Sequence, residues 1–179
     1  AFISEQRLSI KLKSGINLQF FPESGKMVSG IETVIAYKAV DNLGDPAEFD
    51  ANIVDENQNN ITHLTGNKSG VGKFIFTPRL NSTYKAEVTL SGNKYVFNLP
   101  VTEPKGYILN FNSDSGEIYI KNNQNENKKK HYLLASMRGA VYTSVEAKLD
   151  NNTLHIHLPL KTYQKGIVQI TLFDSLFRP

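Results

Sequence analysis

Between Glu48 and Ile53 the chain alternates strictly: Phe49, Ala51 and Ile53 are apolar, while Glu48, Asp50 and Asn52 are polar. A period of two is the mark of a strand with one face buried. Tyr84, Ala86, Val88 and Leu90 alternate with Lys85, Glu87 and Thr89, and Tyr95, Phe97 and Leu99 with Lys94, Val96 and Asn98. Leu154, Ile156 and Leu158 alternate with His155 and His157. No window of ten or more residues keeps a helical apolar period. One-sided alternation of this kind is what antiparallel sheets with one wet face produce.

Turn formers separate the runs. Asp41-Asn42-Leu43-Gly44-Asp45-Pro46, Ser91-Gly92-Asn93 and Ser113-Asp114-Ser115-Gly116 are the clearest. A turn every 8–12 residues or so is the cadence of a β-sandwich. Seven strands are predicted over residues 16–21, 33–41, 47–55, 60–65, 73–77, 83–90 and 94–99. Residues 101–105 (Val-Thr-Glu-Pro-Lys) read as a short linker. Six more strands follow over residues 106–112, 117–121, 131–137, 141–149, 153–158 and 167–174. The pattern predicts an all-β chain of two tandem immunoglobulin-like sandwiches, residues 15–102 and 103–179, the second lacking its last strand. Residues 1–14 are then a strand or linker from a preceding domain, and within them Leu8-Ser9-Ile10-Lys11-Leu12-Lys13 alternates too. That piece is either the tail of the preceding domain or a strand able to pair with an open edge.

Pro78-Arg79-Leu80-Asn81-Ser82-Thr83-Tyr84 sets a Tyr just inside a strand after a Pro-led turn. In sandwiches a Tyr at such a corner returns its hydroxyl to the backbone and locks the turn between sheets.

Composition fits this picture and removes several functions. The 179 residues are 40% apolar and 21% charged, as in soluble globular chains. The net charge is +3 and the pI about 9.0, with the basic residues scattered. Their one run, Lys128-Lys129-Lys130, closes a polar stretch over residues 122–130 that reads as a solvated loop. Nucleic acid would demand a basic face interleaved with aromatics, so no nucleic-acid partner is expected. There is no cysteine, which excludes disulfides, thiolate metal sites and a cysteine nucleophile. No apolar run is long enough to span a bilayer, and Ala1-Phe2-Ile3-Ser4-Glu5 has no signal-peptide character. The chain is expected to be cytoplasmic, already processed, or a piece of a longer protein.

Two segments carry a resemblance. Leu18-Gln19-Phe20-Phe21-Pro22-Glu23-Ser24-Gly25-Lys26-Met27-Val28-Ser29-Gly30 resembles the opening of macroglobulin-like domains in large envelope proteins of the Bacteroides group. Val34-Ile35-Ala36-Tyr37-Lys38-Ala39 and Gly70-Val71-Gly72-Lys73-Phe74-Ile75-Phe76-Thr77-Pro78 continue it. Lys165-Gly166-Ile167-Val168-Gln169-Ile170-Thr171-Leu172-Phe173-Asp174 resembles the close of the next such domain; the middle of the chain, residues 110–161, matches in strand pattern alone. The resemblance implies alpha-2-macroglobulin-type sandwiches, often linked to TonB-dependent receptor plug domains. It also implies export to the periplasm, outer membrane or cell surface of a Gram-negative bacterium, and partners that are proteins or neighbouring domains of the same chain. It implies no activity: the thioester of the macroglobulins proper needs a cysteine, which is lacking. Within the motif, Phe20 and Phe21 must point to opposite faces of a strand, Pro22 ends the pairing, and Glu23-Ser24-Gly25 allows a tight turn.

Side chains that could carry chemistry are few. His155 and His157 project from one strand face and would need a third ligand from a neighbouring strand to hold a metal; an exposed polar face is the simpler reading. Lys38 interrupts the apolar strand around it; a buried lysine there could form an isopeptide bond to an Asn, but a lysine on the wet side of the strand is the simpler reading. Asp41, Asp45, Asp50 and Asp55 lie near turns without calcium-loop spacing. Nucleophile-elbow, P-loop and His-Glu-x-x-His motifs are missing. Four sequons, at Asn60, Asn67, Asn81 and Asn151, are expected by chance in an Asn-rich chain. Tyr107, Tyr119, Tyr132, Tyr142 and Tyr163 are the candidates for an alternative glycan-binding or adhesin role. The sequence therefore points to a non-enzymatic structural or protein-binding module with no catalytic, cofactor or metal site.

Overall fold

The computed structural model describes residues 15–90, 92–126 and 129–179; Leu8-Ser9-Ile10-Lys11-Leu12-Lys13 lies outside them, as does Lys128. In chain order the strands are β1 (Ile16–Pro22), β2 (Met27–Val28), β3 (Thr33–Asp41), β4 (Asp50–Asp55), β5 (Asn60–Thr65), β6 (Val71–Phe76), β7 (Tyr84–Leu90) and β8 (Asn93–Asn98). Then come β9 (Thr102–Glu103), β10 (Tyr107–Asn112), β11 (Glu117–Asn122), β12 (Lys130–Met137), β13 (Ala140–Lys148), β14 (Thr153–His157) and β15 (Gln169–Phe173). A single 3-10 turn covers Leu160–Thr162.

Every strand read from the alternation is present, with two informative differences. The third starts at Asp50 instead of residue 47. Ala47 N–H still donates to Ala39 C=O at 3.2 Å, and Pro46 bridges Val40. The backbone is thus still bonded to β3 there and joins the other sheet only at Asp50. The segment read as a linker is itself paired: β9 runs parallel to β2, with Met27 opposite Thr102 and Val28 opposite Glu103.

The pairing order defines the fold. One sheet runs β1-β3-β6 and another β5-β4-β7-β8, which is the A-B-E and C′-C-F-G order of an immunoglobulin-like sandwich. The pattern then repeats as β10-β11-β14 and β13-β12-β15, or A-B-E and C′-C-F. The chain is all-β and comprises two tandem immunoglobulin-like sandwiches. Among the described residues no strand pairs with the outer edge of β15.

Spatial proximity groups the residues into two compact units. Of the described residues, the first holds 15–20, Ala36–Lys73 and Tyr84–Leu99; the second holds Phe21–Ile35, Phe74–Thr83 and Pro100–Pro179.

The first unit buries Ile16, Leu18, Tyr37 and Ala39 from one sheet and Ala51, Ile53, Leu64, Ala86 and Val88 from the other. These are the alternating apolar positions, as period two requires. Tyr37 and Phe49 meet edge to face at 5.6 Å. A register shift between Ile53 and Val54 lets Val54 and Asp55 turn inward as well. Asp55 Oδ1 accepts from the Asn57 and Asn59 amides, both at 2.9 Å, so this buried carboxylate ties its own turn. Tyr84 is buried at the start of β7, where its C=O accepts from the Leu99 amide at 2.9 Å.

The second unit is centred on Ile118, Ile120, Leu133, Ala135, Ile156 and Leu158. A smaller cluster joins Val28 and Ile31 to Ile108. Phe20 is half-buried and Phe21 is 49% exposed, the split that opposite strand faces demand. Gly25, at φ 76°, closes the tight turn by donating to Pro22 C=O at 2.8 Å; a side chain is disfavoured at that φ.

Replacing Ile120, fully buried at the middle of β11, by Ala is expected to cost about 2–5 kcal/mol. Val96→Ala, on the wet face of β8, should stay within about 0.5 kcal/mol. Urea unfolding midpoints compare the two; equal effects would place the core elsewhere.

Candidate functional site

The polar chemistry of the second unit gathers in three places. The first is on the outer face of β11 and β14, where register sets Glu117 opposite His157 and Tyr119 opposite His155. Glu117 Oε1 lies 2.9 Å from His157 Nδ1, and Glu117 also pairs with His155 Nε2. The Tyr119 and His155 rings stack at 4.5 Å. The hydrogen bond from His157, and the weaker one from His155, hold the Glu117 carboxyl below its ordinary value of 4.5 against an opposing desolvation effect. His155 and His157 do share a face, as alternation requires. The carboxylate between them comes from a strand 40 positions away, which sequence spacing could not reveal. Among the described residues no group of three His, Cys, Asp or Glu is arranged to hold a metal ion.

The second place is half-buried. Tyr107, first residue of β10, points its hydroxyl at His131 Nε2, 2.8 Å away, and donates to Glu126. His131 is buried, and its Nδ1 lies 3.1 Å from Lys129 C=O. Lys129 Nζ in turn reaches Glu126 Oε1 at 2.5 Å. Burial, with the Glu126 hydrogen bond next, pushes the Tyr107 hydroxyl up to about 12. Lys129 first, and Tyr107 after it, hold Glu126 below the usual carboxylate value. The polar loop thus folds a lysine, a glutamate and a histidine around one tyrosine. No motif signalled this, because its members are scattered over 24 residues.

The third is a turn. Asp174 accepts from the Leu176 and Arg178 amides at 2.8 and 3.0 Å and from Arg178 Nε at 2.8 Å. Those bonds from Arg178 hold its carboxyl at about 2. Tyr107, His131, Asp174 and Arg178 line a cavity of about 280 Å³.

The remaining expectations fall on exposed or structural positions. Lys38 faces solvent on the wet side of β3, between the buried Tyr37 and Ala39. Asp41 accepts from the Leu43 and Asp45 amides at 2.8 and 3.0 Å, a turn-holding role. Asn67 likewise holds its turn, donating to Val71 C=O at 3.0 Å. Lys130 pairs with Glu146 at 2.7 Å on neighbouring strands. The tyrosines form separate stacks rather than one row: Tyr119 on His155, Tyr132 on Phe177 at 4.5 Å, and Tyr142 on Tyr163 at 5.4 Å. No helix among the described residues is long and apolar enough to cross a membrane.

Strand order and surface together define a tandem immunoglobulin-like β-sandwich module. No protein-family model and no curated protein matches the chain. Among solved structures it is similar to the BSP domain of a biofilm-associated protein, with 14% identity and a TM-score of 0.36 over 87% of this chain and 26% of that one. It is also similar to the native conformation of E. coli alpha-2-macroglobulin, with 12% identity and a TM-score of 0.36 over 92% of this chain and 13% of that one. The chain therefore spans about a quarter or less of the structures it matches. The fold assignment rests on the strand order.

Tyr107→Phe removes the hydroxyl that His131 and Glu126 share, and should cost about 1–3 kcal/mol in denaturant unfolding. In an alkaline absorbance titration one tyrosine should ionise near pH 12, and Tyr107→Phe should remove it. An unchanged titration would refute the assignment. For Glu117 the folded value is depressed, so its contribution is present above the ordinary 4.5 and lost as pH falls through the lowered value. Unfolding midpoints between about pH 6 and pH 3 should fall less steeply in Glu117→Gln than in the parent chain. Equal slopes would contradict the pairing.

Proposed function

We propose that the chain is a non-catalytic structural or protein-binding module of a larger exported, cell-envelope-associated bacterial protein. The observation that carries the structural half is that the segment following the first sandwich is itself paired and gripped by side chains. Here the linker strand β9 is paired with β2, and Asn123 closes over the same stretch. Its Nδ2 donates to Ser29 C=O at 2.9 Å and to Pro104 C=O at 2.8 Å, while its Oδ1 accepts from the Gly106 amide at 3.1 Å. Glu23, in the resemblance motif, accepts from the Phe111 amide at 3.2 Å. Beneath them Val28, Ile31 and Ile108 are buried together. The turn of the Phe-Phe-Pro-Glu opening thus supplies, in Glu23, a group that grips β10 within the second compact unit.

The division at residues 15–102 and 103–179 rests on the strand count; the contacts of Asn123 and Glu23 lie within the second compact unit. Export, the envelope location, and a Bacteroides-group source with a TonB-dependent receptor plug further along the chain rest on the resemblance of the motifs. The carbohydrate-binding alternative is favoured by the partly exposed rings of Tyr119 and Tyr142, since aromatic faces are what sandwiches offer to sugars.

Asn123→Ala should raise the amide exchange rate of Gly106 at least about tenfold, and the rates of β9 with it. Unchanged rates would remove the case that Asn123 holds this segment. A glycan array should give no binding; a hit abolished by Tyr119→Ala or Tyr142→Ala would establish the alternative.

A further inference from the structure

The hydrogen-bond donors and acceptors around Tyr107 balance only if the cluster holds one proton more than a neutral histidine brings. His131 Nδ1 lies 3.1 Å from Lys129 C=O, which can only accept, so that nitrogen carries a hydrogen. At the other end Glu126 accepts from Lys129 Nζ at 2.5 Å and from the Tyr107 hydroxyl. A phenol has one hydrogen, and Tyr107 has given it to Glu126. His131 Nε2, 2.8 Å from the same phenol oxygen, must therefore donate to it. Both ring nitrogens are then protonated. The opposite arrangement puts the proton on Glu126 and reverses both bonds. Lys129 first, and Tyr107 after it, hold the Glu126 carboxyl below its usual value, which keeps it a carboxylate. The phenol, pushed up to about 12 mainly by burial, keeps its own hydrogen across the neutral range.

We propose that Lys129 C=O, His131, Tyr107 and Glu126 form a proton-operated clasp, closed while His131 is an imidazolium and loosened when that proton leaves. Once His131 is neutral, its Nε2 is an acceptor. Tyr107 then has one hydrogen for two acceptors, and one of them goes without a partner in a half-buried place, which is costly. What the clasp holds follows from where its members sit. Tyr107 is on β10 and His131 on β12, strands of the two facing sheets β10-β11-β14 and β13-β12-β15. Glu126 and Lys129 belong to the segment between β11 and β12. The chain of bonds ties both sheets to that segment, wholly within the second compact unit. Among the described residues the other charges facing the cluster are Asp174 and its partner Arg178, 2.6 Å apart. Asp174 is held at about 2 and an arginine does not deprotonate, so neither changes charge as the clasp opens. The cavity of about 280 Å³ that they share with Tyr107 and His131 gives the proton a path to water.

Ring-nitrogen NMR of the full chain reads the proton directly. At pH 7.5 an ordinary imidazole is about 90% neutral. His131 should instead show both nitrogens protonated, and Tyr107→Phe should return it to the neutral form. The Lys129 amide donates to Glu126 C=O at 3.2 Å, so its exchange protection reports on the segment. That protection should fall at least about tenfold as His131 loses its proton on titration toward alkaline pH. Glu126→Gln separates the proton from the packing. A glutamine amide donates to Tyr107, which then donates to a neutral His131, so the chain of bonds survives without the extra proton. In that variant His131 should be neutral at pH 7.5, and Lys129 protection should no longer change as pH rises. A tyrosine that only fills space predicts neither result. A neutral His131 in the parent chain at pH 7.5 overturns the proposal, and that measurement depends on no variant. So does an equal alkaline loss of Lys129 protection in the parent and Glu126→Gln chains.

Discussion

A sheet with one apolar face has to be covered, and nearly everything in this molecule follows from how far that requirement is met. The alternation that puts Ala51, Ile53, Ala86 and Val88 on one face of a sheet leaves those side chains in water unless a second sheet lies over them. In the first unit Ile16, Leu18, Tyr37 and Ala39 supply that cover, and the seventh strand seals the side of the sandwich. In the second, six strands enclose Ile118, Ile120 and Leu133 completely but leave Tyr107, Leu109, Ile170 and Leu172 half-covered.

The polar residues divide in the same way. Several aspartates and asparagines hold turns: Asp41, Asp55, Asn67 and Asp174 each accept from or donate to the backbone within four residues. Such residues compete locally for backbone groups, which is why they accumulate between strands. What remains for longer-range work is small. Asn123 fixes the linker, Glu23 grips β10, and Glu126 with His131 satisfies a half-buried tyrosine. Each of these stabilises the arrangement of strands, which accords with a structural or binding role.

The strands were legible in the sequence because period two is a local signal, carried by side chains two apart. The immunoglobulin-like order was legible as a count of strands between turns. Residues brought together by pairing were not legible. Glu117 meets His155 and His157 only because β11 and β14 lie in register, and Tyr107 meets His131 only after the intervening strands fold. The pairing within the linker did not show because its two paired residues, Thr102 and Glu103, are too few to carry a period. The start of β4 was misplaced because the residues before it alternate while still bonded to β3.

The central claim is that the chain folds as immunoglobulin-like sandwiches whose strand order is the one the pairing shows. Amide hydrogen exchange addresses it most directly. The account predicts that amides within Tyr84–Leu90, paired on both sides, exchange more slowly than those of Asn93–Asn98, paired with β7 alone among the described residues. Equal exchange in the two strands would contradict it.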